Sequence, residues 1–375
     1  PRRRGRAARR RRTADAVTAP PTERAPSGQV RDLVVVGASA GGVEALRQLC
    51  AHLPADLAAA VVVVLHIPAS SRSALAAILD RAGPLPAAQA HEGDALTPGR
   101  ILVAPPDRHV VVADGAVTLS RGPRENGHRP SVDVLFRSAA RAAGPRVIGV
   151  VLSGTLDDGT AGLVAIRARG GVSVVQDPHE APYAGMPLSA LEGDSPDAVL
   201  PVAEIAQKLT SLVGTTAAQA APPSALMEVE VAMAVPEDQA LSAGDRPGVP
   251  SGFACPDCHG VLFEIDEGHL RRYRCRVGHA WSARSLAAQQ GAAVETALWT
   301  ALRALEEKAA LADRMAATAR VRGHDFSVTT FVEQAREARE SALAVRDLID
   351  RTAELVPDPS GSTPVSAVEE ADALR

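Results

Sequence analysis

Asp32-Leu33-Val34-Val35-Val36-Gly37-Ala38-Ser39-Ala40-Gly41-Gly42 is the stretch that decides the fold. Its first half is a short apolar, β-branched run, the pattern of a strand buried on both faces. Its second half is a Gly-rich turn that lifts the Ser39 hydroxyl between residues whose backbone N–H groups can crowd close to it. Strand, sharp turn and helix together predict the opening unit of an α/β protein with an activated serine. The same turn can instead cradle a phosphate or simply pack tightly, so residues further along must decide.

Two further polar groups follow buried runs. His66 ends Ala60-Val61-Val62-Val63-Val64-Leu65, and Asp157 and Asp158 follow Val147-Ile148-Gly149-Val150-Val151-Leu152-Ser153-Gly154. In open α/β sheets, sites form outside the carboxyl ends of strands, so Ser39, His66 and one of the two aspartates can converge on one sheet edge. Each also has a plainer reading: a strand-end histidine can be a packing residue, and Asp-Asp-Gly a turn with a helix cap. The order Ser, His, Asp differs from the Ser, Asp or Glu, His order of α/β hydrolases, which argues against an ordinary lipase or esterase.

Six segments together resemble the catalytic domain of CheB-type protein-glutamate methylesterases, roughly over residues 31–213. They are Val36–Gly42, Leu65-His66-Ile67-Pro68, Ala104-Pro105-Pro106-Asp107-Arg108-His109, Arg129–Phe136, Leu152–Gly159, and Gln176-Asp177 followed by Ala184-Gly185-Met186-Pro187. The resemblance implies a doubly wound, mostly parallel sheet. It also implies a triad of Ser39, His66 and Asp158, the last because the family's aspartate immediately precedes a glycine. It further implies hydrolysis of glutamate methyl esters on chemoreceptor-type proteins, and glutamine deamidation by the same route, with no catalytic cofactor. Two positions depart from the family pattern: Gly154-Thr155-Leu156 stands where Gly-Met-Gly is common, and Ala40 where Thr is frequent. Within the matched segments, Ser131 reads as a helix N-cap, Arg129 as open between structure and recognition of a substrate acid, and His109 as structural. Met186 reads as either a site residue or a buried turn residue.

The 375 residues suffice for two or three domains. No run of about 18 apolar residues is present, so no membrane span is expected. Eight arginines within the first twelve residues, with no apolar stretch behind them, read as a disordered tail over 1–30 rather than a signal peptide. The formal charge is −4, and removing those eight cations leaves −12, so a folded nucleic-acid surface is not expected. The segment before the first strand is too short for the receiver domain that often precedes this kind of esterase, and control by phosphorylation in cis is not expected.

Residues 214–250, rich in Ala, Pro, Ser and Gly, read as a linker. Beyond it, Cys255-Pro256-Asp257-Cys258 and Cys275-Arg276-Val277-Gly278-His279 are separated by sixteen residues, a spacing that suits a structural zinc in a ribbon-like module over 251–284. His259 and His269 are alternatives to His279 as the fourth ligand. Cys50 reads as a small buried apolar residue. With three of four cysteines assigned to metal, a reducing cytoplasm fits. Residues 285–355 are expected to form an α-helical hairpin, broken near Arg322-Gly323-His324-Asp325, that packs on the module or docks on a signalling partner. A disordered tail is expected over 356–375. Two function classes follow: a serine methylesterase, or a catalytically weak regulatory or docking module of a chemosensory-like pathway.

Overall fold

A computed structural model describes residues 29–71, 73–219, 221–235, 248–267 and 270–355. The expected tails over 1–28 and 356–375, the part of the linker at 236–247, and His269 lie outside the described residues.

Strands β1 (Leu33–Ala38), β2 (Ala60–Leu65), β3 (Ala87–Gln89) and β4 (Ile101–Val103) are joined to β7 (Val147–Val151), β8 (Val172–Gln176) and β9 (Ala198–Leu200) in one sheet of order β3-β4-β2-β1-β7-β8-β9. Every pairing in it is parallel. Between β4 and β7, an antiparallel hairpin of β5 (His109–Ala113) and β6 (Ala116–Ser120) lies apart from this sheet.

Alternation along β1 sets the two layers. Leu33 and Val35 point into one core, which also holds Val132, Leu135, Phe136, Leu163, Met186 and Met227. Val34, Val36 and Ala38 point into the other, with Leu46, Leu49, Leu79, Ile205 and Leu209. Helices α3 (Val132–Ala143), α4 (Thr160–Ala168) and α5 (Gly185–Gly193) therefore cover one face, and α1 (Gly42–His52), α2 (Leu75–Ala82) and α6 (Val202–Leu212) the other. The doubly wound α/β expectation holds, and the adjacency β2-β1-β7 brings the ends of the three site-bearing strands side by side.

The linker reading does not describe residues 225–234. They form helix α7 (Ala225–Ala234), capped by the Ser224 hydroxyl, which accepts the Met227 N–H. Met227, Val231 and Ala234 join the core against α3. Four antiparallel strands follow, β10 (Val249–Ala254), β11 (Val261–Glu267), β12 (Leu270–Cys275) and β13 (Ala280–Ser282), then α8 (Ala283–Val321) and α9 (Asp325–Leu355), which pack as an antiparallel hairpin around Leu302, Ala342 and Ile349.

A buried ion network joins this strand module to the parallel-sheet domain. Arg274 donates to Glu125 at 2.8 Å and to Glu230 at 2.9 Å, Arg272 donates to Glu230 at 2.6 and 2.9 Å and also to Glu267, and Arg137 donates to both oxygens of Glu125. Burial would favour neutral carboxyls, but the surrounding guanidinium groups hold Glu125 low and Glu230 well below the usual carboxylate range. The three cations and three carboxylates balance, and removing one strands its partners out of water. Arg274→Met should cost the full chain about 3–5 kcal/mol in urea unfolding. A loss below about 1 kcal/mol, the value of a surface pair, would contradict the network's role.

Candidate active site

Ser39 follows β1 directly, and its position is fixed through the backbone: its N–H donates to the Ser153 carbonyl at 2.9 Å, and its own carbonyl accepts the Gly42 N–H at 2.9 Å. Ser153 also holds the turn from below, its hydroxyl donating to the Ala40 carbonyl at 2.8 Å. Ser153 is itself anchored by Gln176, whose Oε1 accepts the Ser153 N–H at 2.8 Å. Gly154 must lack a side chain here, since a Cβ would lie 2.1 Å from the Met186 sulfur and 2.9 Å from the Ser39 Cβ. Met186, fully buried, is thus the floor beneath the Ser39 turn.

His66 follows β2, and its Nε2 lies 2.7 Å from Asp158 Oδ2. Nδ1 is buried with no hydrogen-bond partner among the described residues. The tautomer that donates Nε2–H to Asp158 leaves Nδ1 as the basic nitrogen. Ser39 and His66 line one open pocket of about 380 Å³ together with Pro68, Arg124, His128 and Arg129.

Asp158 is 2 % exposed. Its Oδ2 also accepts the Val132 N–H at 2.7 Å, and its Oδ1 accepts from Asn126 Nδ2 at 3.0 Å, the Ser131 hydroxyl at 3.0 Å and the Asp133 N–H at 3.2 Å. The carboxylate therefore sits on the N-terminus of α3, where free N–H groups and the helix dipole favour an anion. Burial alone would push its pKa up, but the hydrogen bond and charge of His66, the His128 ring and the Val132 N–H hold it below the usual carboxylate range. Ser131 is the residue before α3, as expected, yet its hydroxyl serves Asp158 rather than a helix N–H.

Asp133 is the reciprocal case. From the first turn of α3 it accepts the Gly159 N–H at 3.0 Å and the Gly162 N–H at 2.7 Å, capping α4, and burial with the neighbouring Asp158 charge raises its pKa well above the usual range. Asp157 turns away from His66. It accepts from the hydroxyls of Ser282 and Ser285 at 2.8 and 2.7 Å, at the start of α8. The structure thus pairs His66 with Asp158 and assigns Asp157 elsewhere.

Several residues about the site were not read from the sequence. Glu125-Asn126-Gly127-His128 is a tight hairpin turn, with Asn126 at φ 52° and Gly127 at φ 78°, closed by the bonds Glu125 N–H to His128 O and His128 N–H to Glu125 O. The dipeptide Asn-Gly is a strong signal for this turn type, and would have found it. His128 lies flat on His66, ring centroids 3.6 Å apart and planes 8° apart, and burial followed by the His66 charge brings its pKa down to about 3. Arg129 is bound by Asp107 Oδ1 at 2.9 and 2.6 Å and donates to the Gly122 carbonyl. These bonds hold it in place, while it also lines the pocket beside Ser39 and His66. His109 is structural as expected: it bonds the Pro123 carbonyl through Nε2 and the Ser131 N–H through Nδ1, and so holds both ends of the same loop. Cys50 is buried among aliphatic side chains, which push its thiol up to about 12.

At the departure from the family pattern, Leu156 occupies a left-handed φ of 60°, a conformation that favours glycine. The strain is local to the loop between β7 and Asp158.

The second cluster is Cys255, Cys258, Cys275 and His279, whose ligand atoms all lie within 4.8 Å of one another. Cys258 Sγ and Cys275 Sγ are 3.6 Å apart, and Cys275 Sγ and His279 Nδ1 3.5 Å. These are the edges of a tetrahedron whose bonds are about 2.3 Å to sulfur and 2.1 Å to nitrogen, so the four donors fit a metal ion. His259 is exposed and outside the set.

The model of the CheB methylesterase family matches residues 34–209. Protein-glutamate methylesterase/protein-glutamine glutaminase 5 of Anaeromyxobacter dehalogenans is 44% identical over 204 residues, 53% of this chain and 56% of that protein. Protein-glutamate methylesterase/protein-glutamine glutaminase 2 of Pseudomonas aeruginosa is 42% identical over 204 residues, 53% of this chain and 58% of that protein. The chain spans little more than half the length of these curated relatives. The crystal structure of the Thermotoga maritima CheB methylesterase catalytic domain superposes with a TM-score of 0.47 and 34% identity, covering 48% of this chain and 98% of that one. Through residues 34–209, this chain belongs to the CheB methylesterase family.

Proposed function

We propose that this protein is a serine hydrolase that removes methyl esters from glutamate side chains of chemoreceptor-type proteins, and deamidates glutamine by the same acyl-enzyme route. The observation that carries the reading is the 2.7 Å His66–Asp158 pair beside Ser39 in one pocket. Ser39 Oγ attacks the ester carbonyl while His66 Nδ1 takes its proton. Asp158, kept ionised by five donors, holds the ring and stabilises the imidazolium. The tetrahedral oxyanion falls to the N–H groups of Ala40 and Gly41, because those of Ser39 and Gly42 are already bonded. Collapse expels methanol with the proton from His66, and water then attacks the acyl-enzyme by the reverse roles. With an amide the leaving group is ammonia. Arg124, which lines the pocket and forms no ion pair among the described residues, supplies positive charge for acidic neighbours of the target glutamate.

The Cys₃His set is read as a structural zinc site, because four protein ligands close the coordination sphere and leave no position for substrate. Zinc would fix the strand module, and no step of the reaction passes through it. No helix among the described residues is long and apolar enough to cross a membrane, and the thiol-rich metal set suits a reducing cytoplasm. The hairpin of α8 and α9, with exposed Trp299, Leu311 and Leu343, is a docking arm for a helical signalling partner in this reading.

The reading makes two predictions. Methanol release from a carboxymethylated receptor cytoplasmic fragment should be abolished by Ser39→Ala, and Asp158→Asn should lower kcat by about 10³–10⁴. Release that persists in Ser39→Ala would overturn it. Stability should also fall on acidification through His128. The folded protein keeps this ring neutral down to about pH 3, whereas the unfolded chain takes up its proton near 6.5. Unfolding therefore binds an extra proton across that window, and stability is lost as pH drops through it. Between pH 6.5 and 5 the loss amounts to roughly 2 kcal/mol, and His128→Phe, which keeps a stacked ring, should remove that part of the slope in urea titrations. An unchanged slope would contradict the buried neutral ring.

A further inference from the structure

The turn that reaches the triad is gripped from outside the parallel-sheet domain. The Ala280 carbonyl accepts the Asn126 N–H at 2.7 Å, the Ser282 N–H donates to Asn126 Oδ1 at 2.8 Å, and the Ala280 N–H donates to the Arg124 carbonyl at 3.2 Å. A Cβ on Gly127 would lie 3.6 Å from the Trp281 ring, so the indole lies close against the turn. All of these contacts come from β13, which begins immediately after His279. On its inner side, the same Asn126 amide donates to Asp158 Oδ1 at 3.0 Å and to Asp133 Oδ2 at 3.1 Å. Asn126 is buried, so this one side chain spans the metal module and the carboxylate that holds His66.

Apart from the ion network at Arg272 and Arg274, the module that does the gripping has little to fold on. Its own core is Cys255, Leu262, Tyr273, Cys275, Trp281 and Leu286, of which two are metal ligands. So small a cluster does not order a strand such as β13 without a further constraint, and four converging ligands supply one when a metal binds.

We infer that Asn126 is a positioning residue through which metal occupancy of Cys255, Cys258, Cys275 and His279 sets the His66–Asp158 pair. With the module folded on its metal, β13 fixes the turn, Asn126 orients Asp158, and His128 is held flat over His66. Without the metal, β13 loosens, the turn follows, and Asp158 loses one of its five donors. The catalytic consequence rests on the esterase reading, but the coupling between module and histidine does not. Among the described residues, the titratable or charged groups around His66 besides Asp158 are His128 stacked on its ring, Asp133 behind Asp158, and Arg124 and Arg129 in the pocket wall, the latter paired with Asp107. Among the described residues, only Asn126 of those bonded to Asp158 is also hydrogen-bonded to the module.

The test uses the full chain loaded with Zn²⁺ or stripped by a chelator, with Cys258→Ala as a second way to lose the metal. Asn126→Gly keeps the left-handed turn conformation and removes the amide. Asn126→Gly in the Zn²⁺-loaded chain should lower kcat by about tenfold or more while KM changes little, as for loss of an outer-shell orienting partner. The acid limb of its kcat/KM profile should move to higher pH, because Asp158 without that donor stabilises the His66 imidazolium more strongly. Zn²⁺ removal should reproduce both effects in the unmutated chain and add little to Asn126→Gly. In parallel, the His66 ring signals of the Ser39→Ala chain, followed by NMR against pH, should shift their midpoint upward on Zn²⁺ removal. That readout needs no turnover, so a shifted midpoint in Ser39→Ala, found together with no methanol release from the unmutated Zn²⁺-loaded chain, would sustain the coupling and defeat the esterase reading. A midpoint unmoved by Zn²⁺ removal, or losses from Asn126→Gly and Zn²⁺ removal that multiply independently, would overturn the inference.

Discussion

A single buried carboxylate organises the site. Asp158 is almost fully removed from water, and an isolated carboxylate there would be neutral and useless to an imidazolium. It stays ionised because the N-terminus of α3, the Ser131 hydroxyl, the Asn126 amide and His66 all donate to it. Meeting those donors requires that α3 start opposite the end of β7, that the turn at Asn126-Gly127 close over both, and that β2 place His66 on the open side. Asp133 makes the arrangement mutual: Asp158, just before α4, caps α3, and Asp133, in the first turn of α3, caps α4, so α3 and α4 cannot shift separately.

The strand module beyond α7 is bound into this arrangement through charge as well as backbone. Arg272 and Arg274 of β12 enter a buried cluster whose carboxylates come from the Glu125–His128 turn, at Glu125, and from α7, at Glu230. Glu125 is next to Asn126, so the network that attaches the module also fixes the start of the turn that reaches Asp158. Buried ion pairs are poor net contributors to stability, but they punish misalignment strongly, which is what an interface that sets atomic positions requires.

The sequence was most legible where one segment carried both the structural and the chemical signal. The β-branched runs at 33–36 and 60–65 are strands with both faces buried, and Ser39, His66 and Asp158 stand just past strand ends, where site residues of an open parallel sheet are expected. The convergence of Cys255, Cys258 and Cys275 was legible through spacing, whereas spacing left His259 and His269 beside His279 as the fourth donor. The linker reading missed α7 because Ala, Pro and Ser around it dominate the composition, and its buried positions, Met227, Glu230, Val231 and Ala234, include a glutamate whose partners lie on other elements. Arg129 was ambiguous because its partner, Asp107, lies 22 residues earlier across a hairpin. The Arg274–Glu125 pair joins residues 149 apart, and no local pattern encodes it. Asn126-Gly127 did carry a local signal for a turn, but only the fold reveals what that turn touches.

The central claim is that Ser39 is a nucleophile activated by His66. Its most direct measurement is mass spectrometry of the full chain after exposure to a serine-directed phosphonate electrophile, with the adduct located by peptide mapping. The account predicts one adduct, on Ser39, formed rapidly in the unmutated chain and strongly suppressed in His66→Ala. Labelling of another serine, or of Ser39 at the same rate without His66, would contradict it.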